Sequence, residues 1–167
     1  MPVPDDCTGT LAIASVSMNG PAWSVLDVID LWFGGELEGG DRPVPGGPAI
    51  PNPRSFTITD HELPMIIRGE VDRLGVVQAN PWAGLEANIT YLRANVIDPP
   101  TIADPVTEDG TVPAVLTMPS GATRNADITG LALRIGDKGH GFDSITGRWG
   151  VIALATLEFT VPAGVFV

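Results

Sequence analysis

The sequence predicts a mainly β protein with one α-helix, and three observations support this class. Segments at 10–17 and 149–161 alternate apolar and polar residues, which is typical of strands with one buried face. Only the segment that begins at Asn80 shows the apolar spacing of a long amphipathic helix. At 167 residues with 44% hydrophobic side chains, the chain is long enough for one domain with its own core.

Strands are also predicted in the first half of the chain. The strand at 10–17 ends at Asn19-Gly20-Pro21. Residues 23–33 fit both periods, and we expect a strand followed by a short helical turn. Two more strands are predicted at 55–60 and 63–71, and the apolar run Met65-Ile66-Ile67 indicates a strand covered on both faces.

The predicted helix has a clear start and a clear end. Asn80 is a favoured N-cap, and Pro81 suits the first helical position, where no N–H is needed. Asp98-Pro99-Pro100 ends the helix, because proline disfavours helical geometry in the preceding residue. One apolar stripe follows from the spacing of Leu85, Ile89, Leu92 and Val96.

The second half of the chain reads as β structure. We predict a strand at 112–118, a turn at 119–121 and a strand at 122–135. The glycine-rich residues 136–141 predict a loop before the long strand at 149–161.

The segment GGELEGGDRPVPGGPAIPNPR at 34–54, called here the Gly/Pro segment, contains six Gly and five Pro. Neither a helix nor a central strand forms on such a sequence. Loops of this length are uncommon in compact domains and are usually functional or disordered. The prolines stiffen the segment, which favours a role in reaching a neighbouring subunit; the alternative is an irregular surface loop.

The charge balance narrows the possible partners. The chain has 20 acidic residues, eight Arg and one Lys, giving a net charge of −11. Such a protein does not grip nucleic acid through its phosphates, although an acidic wall would keep DNA from adhering in a channel. Solubility is the alternative explanation. Charged residues make up only 17% of the chain, which favours a surface covered by further copies.

The sequence predicts no catalytic, cofactor-binding or metal site, and hence no enzyme. Cys7 is the only cysteine, and His61 and His140 lie far apart in sequence. On a strand, the carboxylates of Asp60 and Glu62 point to the face opposite His61, so they do not share a site with it. His140 lies between two glycines in a predicted surface loop. No stretch approaches the roughly 20 apolar residues that span a bilayer, and no secretory signal is recognisable, so we expect soluble production inside a cell.

Aromatic and terminal residues provide candidate contacts. We expect Trp82 and Trp149 to be buried anchors and Trp32 to lie at an interface, where tryptophan is enriched. The apolar C-terminus, including Phe166, requires cover from the core or from a neighbour.

Several motifs in order resemble the small tail tube and minor tail proteins of long-tailed, siphovirus-type phages of high-GC hosts. They are PAWSVLDVIDLW, DRPVPGGPAIPNPR, LPMIIRGEVDRLG, NPWAGLEANITYLRANVIDP, PAVLTMPSG and LATLEFTVPAGVF. The resemblance spans residues 21–166.

The resemblance implies a single domain, 1–167, with an N-terminal arm at 1–9 and the long loop at 34–54. Its fold is a tail-tube-like β-sandwich or half-barrel flanked by one helix. Subunits form stacked rings, expected to be hexameric, around a channel through which DNA passes without specific binding. The protein is then a structural virion component, assembled in the host cytoplasm with other phage tail proteins. It needs no membrane, catalytic group or cofactor.

In that family the long loop reaches the adjacent ring, and we predict salt bridges from Arg42 and Arg54 to acidic neighbours; solvated loop charges are the alternative. The predicted inter-subunit contacts are Trp32, Arg42, Pro43, Pro45, Pro48, Pro51, Arg54 and Phe166.

Two other functions remain open. One is a single-ring tail protein of the same fold, either a distal tail adaptor or a terminator (completion) protein. The other is a carbohydrate-binding β-sandwich with Trp32 or Trp149 as its platform.

Overall fold

A curled, antiparallel seven-stranded sheet dominates the computed structural model of the chain, and one 12-residue helix packs on it. The structure describes residues 9–33, 37–38, 46, 55–56, 58–97 and 110–167. In chain order, the elements are β1 (Thr10–Ile13), β2 (Val16–Ser17), β3 (Trp23–Val25), α1 (Val28–Phe33), β4 (Leu37–Glu38), β5 (Ser55–Phe56), β6 (Thr59–Arg68), α2 (Pro81–Leu92), the π-helical turn Arg93–Ile97, β7 (Val112–Thr117), β8 (Thr123–Asp143) and β9 (Arg148–Val161).

The large sheet has the order β2-β1-β7-β8-β9-β6-β3, and β4 pairs with β5 separately. Its two outermost strands, β2 and β3, are consecutive in the chain and meet through a bridge between Asn19 and Ser24. Val25 N also donates to Met18 O at 3.1 Å. The sheet therefore curls into a half-barrel, which confirms the predicted mainly β class with one substantial helix.

The predicted strand at 10–17 is instead a tight hairpin. Ala14 and Ser15 have φ values of 49° and 66°, as a two-residue turn that matches strand twist requires. Leu11 and Ile13 are fully buried in β1. Burial of these two side chains offsets the cost of left-handed geometry at two residues that are not glycine.

Most other strand predictions are confirmed, but the two strands predicted at 55–60 and 63–71 are wrong in their bounds, because residues 59–68 form the single strand β6 and only 55–56 form the separate strand β5. The 23–33 segment forms β3 followed by the short helix α1. Met65, Ile66 and Ile67 in β6 are all buried, so this strand is covered on both faces. In β9 the predicted inward face is also buried; it consists of Val151, Ala153, Ala155, Leu157, Phe159 and Val161.

The predicted loop at 136–141 is wrong, because β8 continues as a strand to Asp143. A bulge lies between Ile135 and Lys138, after which Gly139 pairs with Ile152 and Gly141 with Gly150. Glycine disfavours strands only weakly, and pairing with β9 supplies the backbone hydrogen bonds that local propensity does not.

Helix α2 is fixed by its cap and by close contact with β6. Asn80 Oδ1 accepts from Trp82 N at 3.1 Å, which confirms the predicted N-cap. Gly84 faces Gly69, and a Cβ at Gly84 would lie 2.3 Å from the Gly69 carbonyl oxygen. One turn later, Asn88 Nδ2 donates to the carbonyl oxygens of Arg68 at 2.8 Å and Val71 at 2.9 Å. Leu85, Leu92 and Val96 of the apolar stripe are thus buried in the core, and Ile89 packs against it.

Candidate assembly surface

Strand β6 has an open backbone edge at its N-terminal half, although β9 covers its other side along the whole strand. Strand β3 pairs only with Met65 to Ile67. Leu26 N donates to Pro64 O at 2.8 Å, so the even residues of β6 direct their backbone groups away from β9. Among the described residues, nothing pairs with Asp60 and Glu62 on that side. Their backbone N–H and C=O groups form the β6 open edge.

Strand β8 has a longer open edge. Because β9 lies between β6 and β8, this edge is on the opposite side of the β6-β9-β8 unit. Strand β7 pairs only with residues 123–128, and β9 covers the other side of the remainder. Gly69 N donates to Val151 O at 2.8 Å, so the odd residues of β9 face β6 and the even residues face β8. The β8 partners of even residues include Ala132, Arg134 and Gly139.

The residues between those partners must direct their backbone groups outward, away from β9. Within the described parts of the chain, no strand occupies this position. The β8 open edge is made of the backbone groups of Leu133, Ile135, Lys138 and His140. An unpaired edge of this length is a template for pairing with another strand.

The outer face of β6, β9 and β8 carries a group of carboxylates near the N-terminal end of β6, whereas Leu154 is exposed further along the same face. Glu62 lies directly opposite Glu158, and Asp60 lies opposite Thr160. Arg134 forms a salt bridge with Glu158, and Arg148 is exposed on the same face further along β9. Since like charges opposite each other are unfavourable, the excess of negative charge at Asp60, Glu62 and Glu158 has no packing benefit.

An exposed aromatic row lies at the end of the sheet where β8 turns into β9. Phe142 and Trp149 are opposite each other in the ladder, with ring centroids 5.8 Å apart. His140 lies two residues before Phe142 on the same face, and Trp82 of α2 meets its ring edge-on at 6.3 Å. The exposed fractions are 76% for Trp149, 52% for Phe142 and 47% for Trp82. We call these four residues the aromatic row.

A second apolar surface is at the same end of the molecule. The loop after β6 exposes Leu74, Val76 and Val77. Glu70 ties this loop to β9, because its backbone oxygen accepts from Gln78 N at 2.8 Å and its Oε1 accepts from Val151 N at 3.0 Å. These side chains and the aromatic row form an exposed apolar surface at this end of the sheet, while Ile58, Val115 and Val167 are exposed elsewhere.

A buried ion pair anchors the tip that carries Phe142 and Trp149. Arg68 Nε donates to Asp143 Oδ2, and the two residues are 6% and 3% exposed. Asp143 Oδ1 also accepts from Ile145 N at 2.9 Å and Thr146 N at 3.2 Å, which closes the turn. Burial alone raises the pKa of Asp143, but Arg68 and these two N–H groups outweigh it and lower the pKa below its ordinary value.

The predicted contact residues fall into three groups. Trp32 is half-buried, with the Arg124 guanidinium 4.1 Å above its ring, so one face is already covered. Phe166 is 2% exposed and packs in the chain's own core, so its cover comes from within the chain. The remainder lie outside the described residues: Arg42, Pro43, Pro45, Pro48, Pro51 and Arg54.

The two tryptophans expected to be buried anchors are exposed, so that prediction is wrong. Trp82 is in the first turn of α2, on the side away from the core, and Trp149 lies beyond the last core layer of β9. Sequence reasoning also missed Phe142 and the Arg68–Asp143 pair. A signal existed for Phe142: Lys138, His140 and Phe142 alternate with Gly139, Gly141 and Asp143, which is period two.

The described residues hold no cluster of three or more His, Cys, Asp and Glu side chains able to bind a metal ion. His61 packs on Phe159 with ring centroids 5.4 Å apart, whereas His140 lies in the aromatic row. Burial lowers the pKa of His61, and the nearby charge of Asp60 opposes this shift in part. Cys7 and the N-terminal arm up to residue 8 lie outside the described residues.

In the described part of the chain, no helix has the length and apolar character needed to cross a membrane.

Comparison of the chain with protein-family models, with curated proteins and with solved structures finds no match.

Proposed function

We propose that this chain is a structural subunit of a phage tail tube, which assembles into rings that stack around a DNA channel. The observation that carries this proposal is the pair of open edges on opposite sides of the β6-β9-β8 unit. Pairing the β8 open edge of one copy with the β6 open edge of the next uses two different surfaces. Such a head-to-tail contact closes into a ring when the rotation between copies allows it.

The direction of the strands fixes the geometry of this contact. Strand β9 is antiparallel to both β6 and β8, so β6 and β8 run in the same direction. Copies related by rotation about one axis keep that direction. The junction between neighbouring subunits is then a parallel strand pair, and the ring contains a continuous sheet with no free edge.

The acidic face supports the same arrangement. One face of β6-β9-β8 is covered by the core and α2, so the bulk of each domain lies outside a closed ring of these sheets. The opposite face, with Asp60, Glu62 and Glu158, then lines the channel. Carboxylates there repel DNA phosphates and allow passage without binding.

A single backbone substitution tests the edge contact. Glu62 is exposed, and its N–H forms part of the β6 open edge. Glu62→Pro removes this donor while keeping the pairing with β9, because proline is tolerated where an edge N–H faces solvent. We expect rings and tubes of the wild type in electron micrographs, and folded monomers for Glu62→Pro. The matched control Glu62→Thr, which retains the N–H, should assemble.

Three other outcomes of this experiment would support or contradict specific alternatives. Dimers that persist in Glu62→Pro indicate a two-fold β8–β8 contact and contradict the ring. Wild-type protein that forms only isolated rings supports a single-ring adaptor or terminator protein of the same fold. Monomers at high concentration contradict assembly altogether.

The exposed pair of Phe142 and Trp149 favours one rival, a carbohydrate-binding module, because aromatic faces stack on sugar rings. Monomeric wild-type protein that binds oligosaccharides, with loss of binding in Trp149→Ser, would support this rival and refute the tail subunit.

A further inference from the structure

A polar cavity of about 370 Å³ lies between the β1–β2 hairpin, the loop that leads into β3, the loop after β6 and helix α2. Its volume is within the range of small-ligand sites. Among the described residues that line it, Arg73 carries a charge and no carboxylate is present. The whole chain has 20 acidic and nine basic residues, so the lining departs from the general charge balance. We call this cavity the Arg73 pocket.

One wall of the pocket is a stack of two rings and a guanidinium. The rings of Trp23 and Tyr91 have centroids 5.8 Å apart and an interplanar angle of 20°. The Arg73 Cζ atom lies over the Tyr91 ring, 5.0 Å from its centroid. A guanidinium that contacts a ring through its face keeps its N–H donors, which lie in its own plane, available for a planar anion.

Arg73 has no ion-pair partner within the described part of the chain. The salt bridges found there involve other arginines. Its sequence neighbour Asp72 uses Oδ1 to accept from Leu74 N and Val76 N, both at 2.9 Å. These bonds hold the loop in a tight turn and engage that carboxylate with the backbone. The pocket therefore contains a positive charge that no described acidic group neutralises.

The opposite wall is held in place by Asn19. Its Oδ1 accepts from Leu11 N at 3.2 Å, and its Nδ2 donates to Val25 O at 3.0 Å. Ser17 Oγ donates to Asn19 O at 3.0 Å, and Trp23 Nε1 donates to Ser17 O at 2.9 Å. Because these groups satisfy one another, they shape the pocket and leave the choice of ligand to other residues.

Three donor groups in the lining make no hydrogen bond to a described residue. They are the guanidinium of Arg73 and the hydroxyl groups of Ser15 and Tyr91. A carboxylate offers two oxygens with about four acceptor positions, which is enough for all three. A phosphate ester carries a charge of about −1.5 to −2, which one guanidinium only partly balances. The lining therefore favours a carboxylate.

We propose that the Arg73 pocket binds a compact ligand through its carboxylate. Arg73 donates two parallel N–H groups to the two carboxylate oxygens, and the hydroxyl groups of Ser15 and Tyr91 complete the set. The carboxylate belongs either to a free small molecule or to an acidic side chain of a second copy of this chain, and both present the same chemistry. The pocket lies within one chain, so the proposal does not depend on ring assembly.

Glutarate is the probe for this site, and its neutral diamide, glutaramide, is the control ligand. Binding to the full-length protein is measured by calorimetry, and NMR amide shifts locate the site. We expect glutarate alone to bind, with shifts in residues 15–23 and at Arg73, and with an affinity that falls as salt is added.

Variants of the lining identify the groups that bind. Arg73→Met removes the charge at similar length and should weaken glutarate binding at least about tenfold. The matched control is Arg93→Met, which changes an exposed arginine outside the lining and should bind as the wild type does. Tyr91→Phe keeps the ring, and Ser15→Gly suits the φ of 66° at this position. Each should weaken binding by about fivefold, since each removes one neutral hydrogen bond.

Three results would overturn the proposal: no binding of glutarate, equal binding of glutarate and glutaramide, or equal binding by wild type and Arg73→Met. Tighter binding of inorganic phosphate than of glutarate would also contradict it. Sedimentation identifies the source of the carboxylate. Weaker self-association in Arg73→Met, and in wild type with glutarate added, supports a side chain of a second copy; unchanged self-association with glutarate bound supports a free carboxylate.

The pocket and the ring contact can fail separately. Glu62→Pro monomers should still bind glutarate, because the β6 open edge does not line the pocket. Tubes that bind no glutarate would refute the pocket alone, and glutarate binding by a wild type that never assembles would refute the ring alone.

Discussion

Replacing Asp143 with alanine should destabilise the protein strongly, because the change leaves a buried guanidinium without its charge partner. Arg68 is 6% exposed, and its Nε donates to Asp143. Removing one member of a buried ion pair costs about 3–5 kcal/mol. For a domain of this size, each kcal/mol lowers Tm by roughly 2–4 °C, so the expected fall is about 6–20 °C. Urea denaturation at neutral pH measures the free energy of unfolding directly.

A double-mutant cycle of Asp143→Ala and Arg68→Met measures the coupling energy between these two side chains. Arg68 Nη1 also donates to Ser24 Oγ at 3.0 Å, and Asp143 also closes its own turn, so each single change has costs outside the pair. The double variant should be less destabilised than the sum of the singles by at least about 1 kcal/mol. Additivity within about 0.3 kcal/mol would refute the coupling.

The lowered pKa of Asp143 adds a pH test. The folded state holds its carboxylate ionised to lower pH than the unfolded state does, so the stabilisation is fully present above the ordinary value of 3.8. It is lost as pH falls through the lower pKa of the folded state. The difference in unfolding free energy between wild type and Asp143→Ala should therefore shrink at strongly acid pH. A difference that stays constant there would contradict this linkage.

Two further predictions concern the helix and one histidine. Gly84→Ala should lower the free energy of unfolding by about 1–3 kcal/mol although alanine is the better helix former, because its Cβ would meet the Gly69 carbonyl oxygen. Exposed Glu86→Ala is the control. Equal stability of the two variants would contradict this packing. The folded state binds the proton of His61 less readily than the unfolded state, so stability should decline as pH falls below 6.5. Denaturation of His61→Gln across this range should show a smaller decline, and an unchanged slope would exclude His61 as its source.

The main elements were predictable because they depend on local pattern. Asn80 and Pro81 start α2 where capping rules place the start, and the alternation at 149–161 identifies β9 and its buried face. These signals act over a few residues and need no knowledge of partners. The edge residues of the assembly surface carry no such signal, because an open edge is defined by which strands stop short of pairing.

The wrong predictions also concern properties that depend on residues distant in sequence. Residues 136–141 contain three glycines and were expected to form a loop, yet β9 supplies a partner and the strand continues. Burial was expected for Trp82 because it lies in the first helical turn and for Trp149 because it starts a strand. Their exposure follows from their positions, one on the outer side of α2 and the other beyond the last core layer of β9. Burial of a single side chain is a tertiary property that its type predicts poorly.

The sequence by itself determined a mainly β domain with one capped helix, an acidic charge and a Gly/Pro segment, since composition and short-range spacing contain this information. Only the tertiary structure decided that the aromatic row lies at the end of the sheet where β8 turns into β9, and that β6 and β8 leave open edges on opposite sides. These relations depend on pairing between residues about a hundred positions apart, such as Asp60 and Thr160, and arise because pairing and core burial select one register among many.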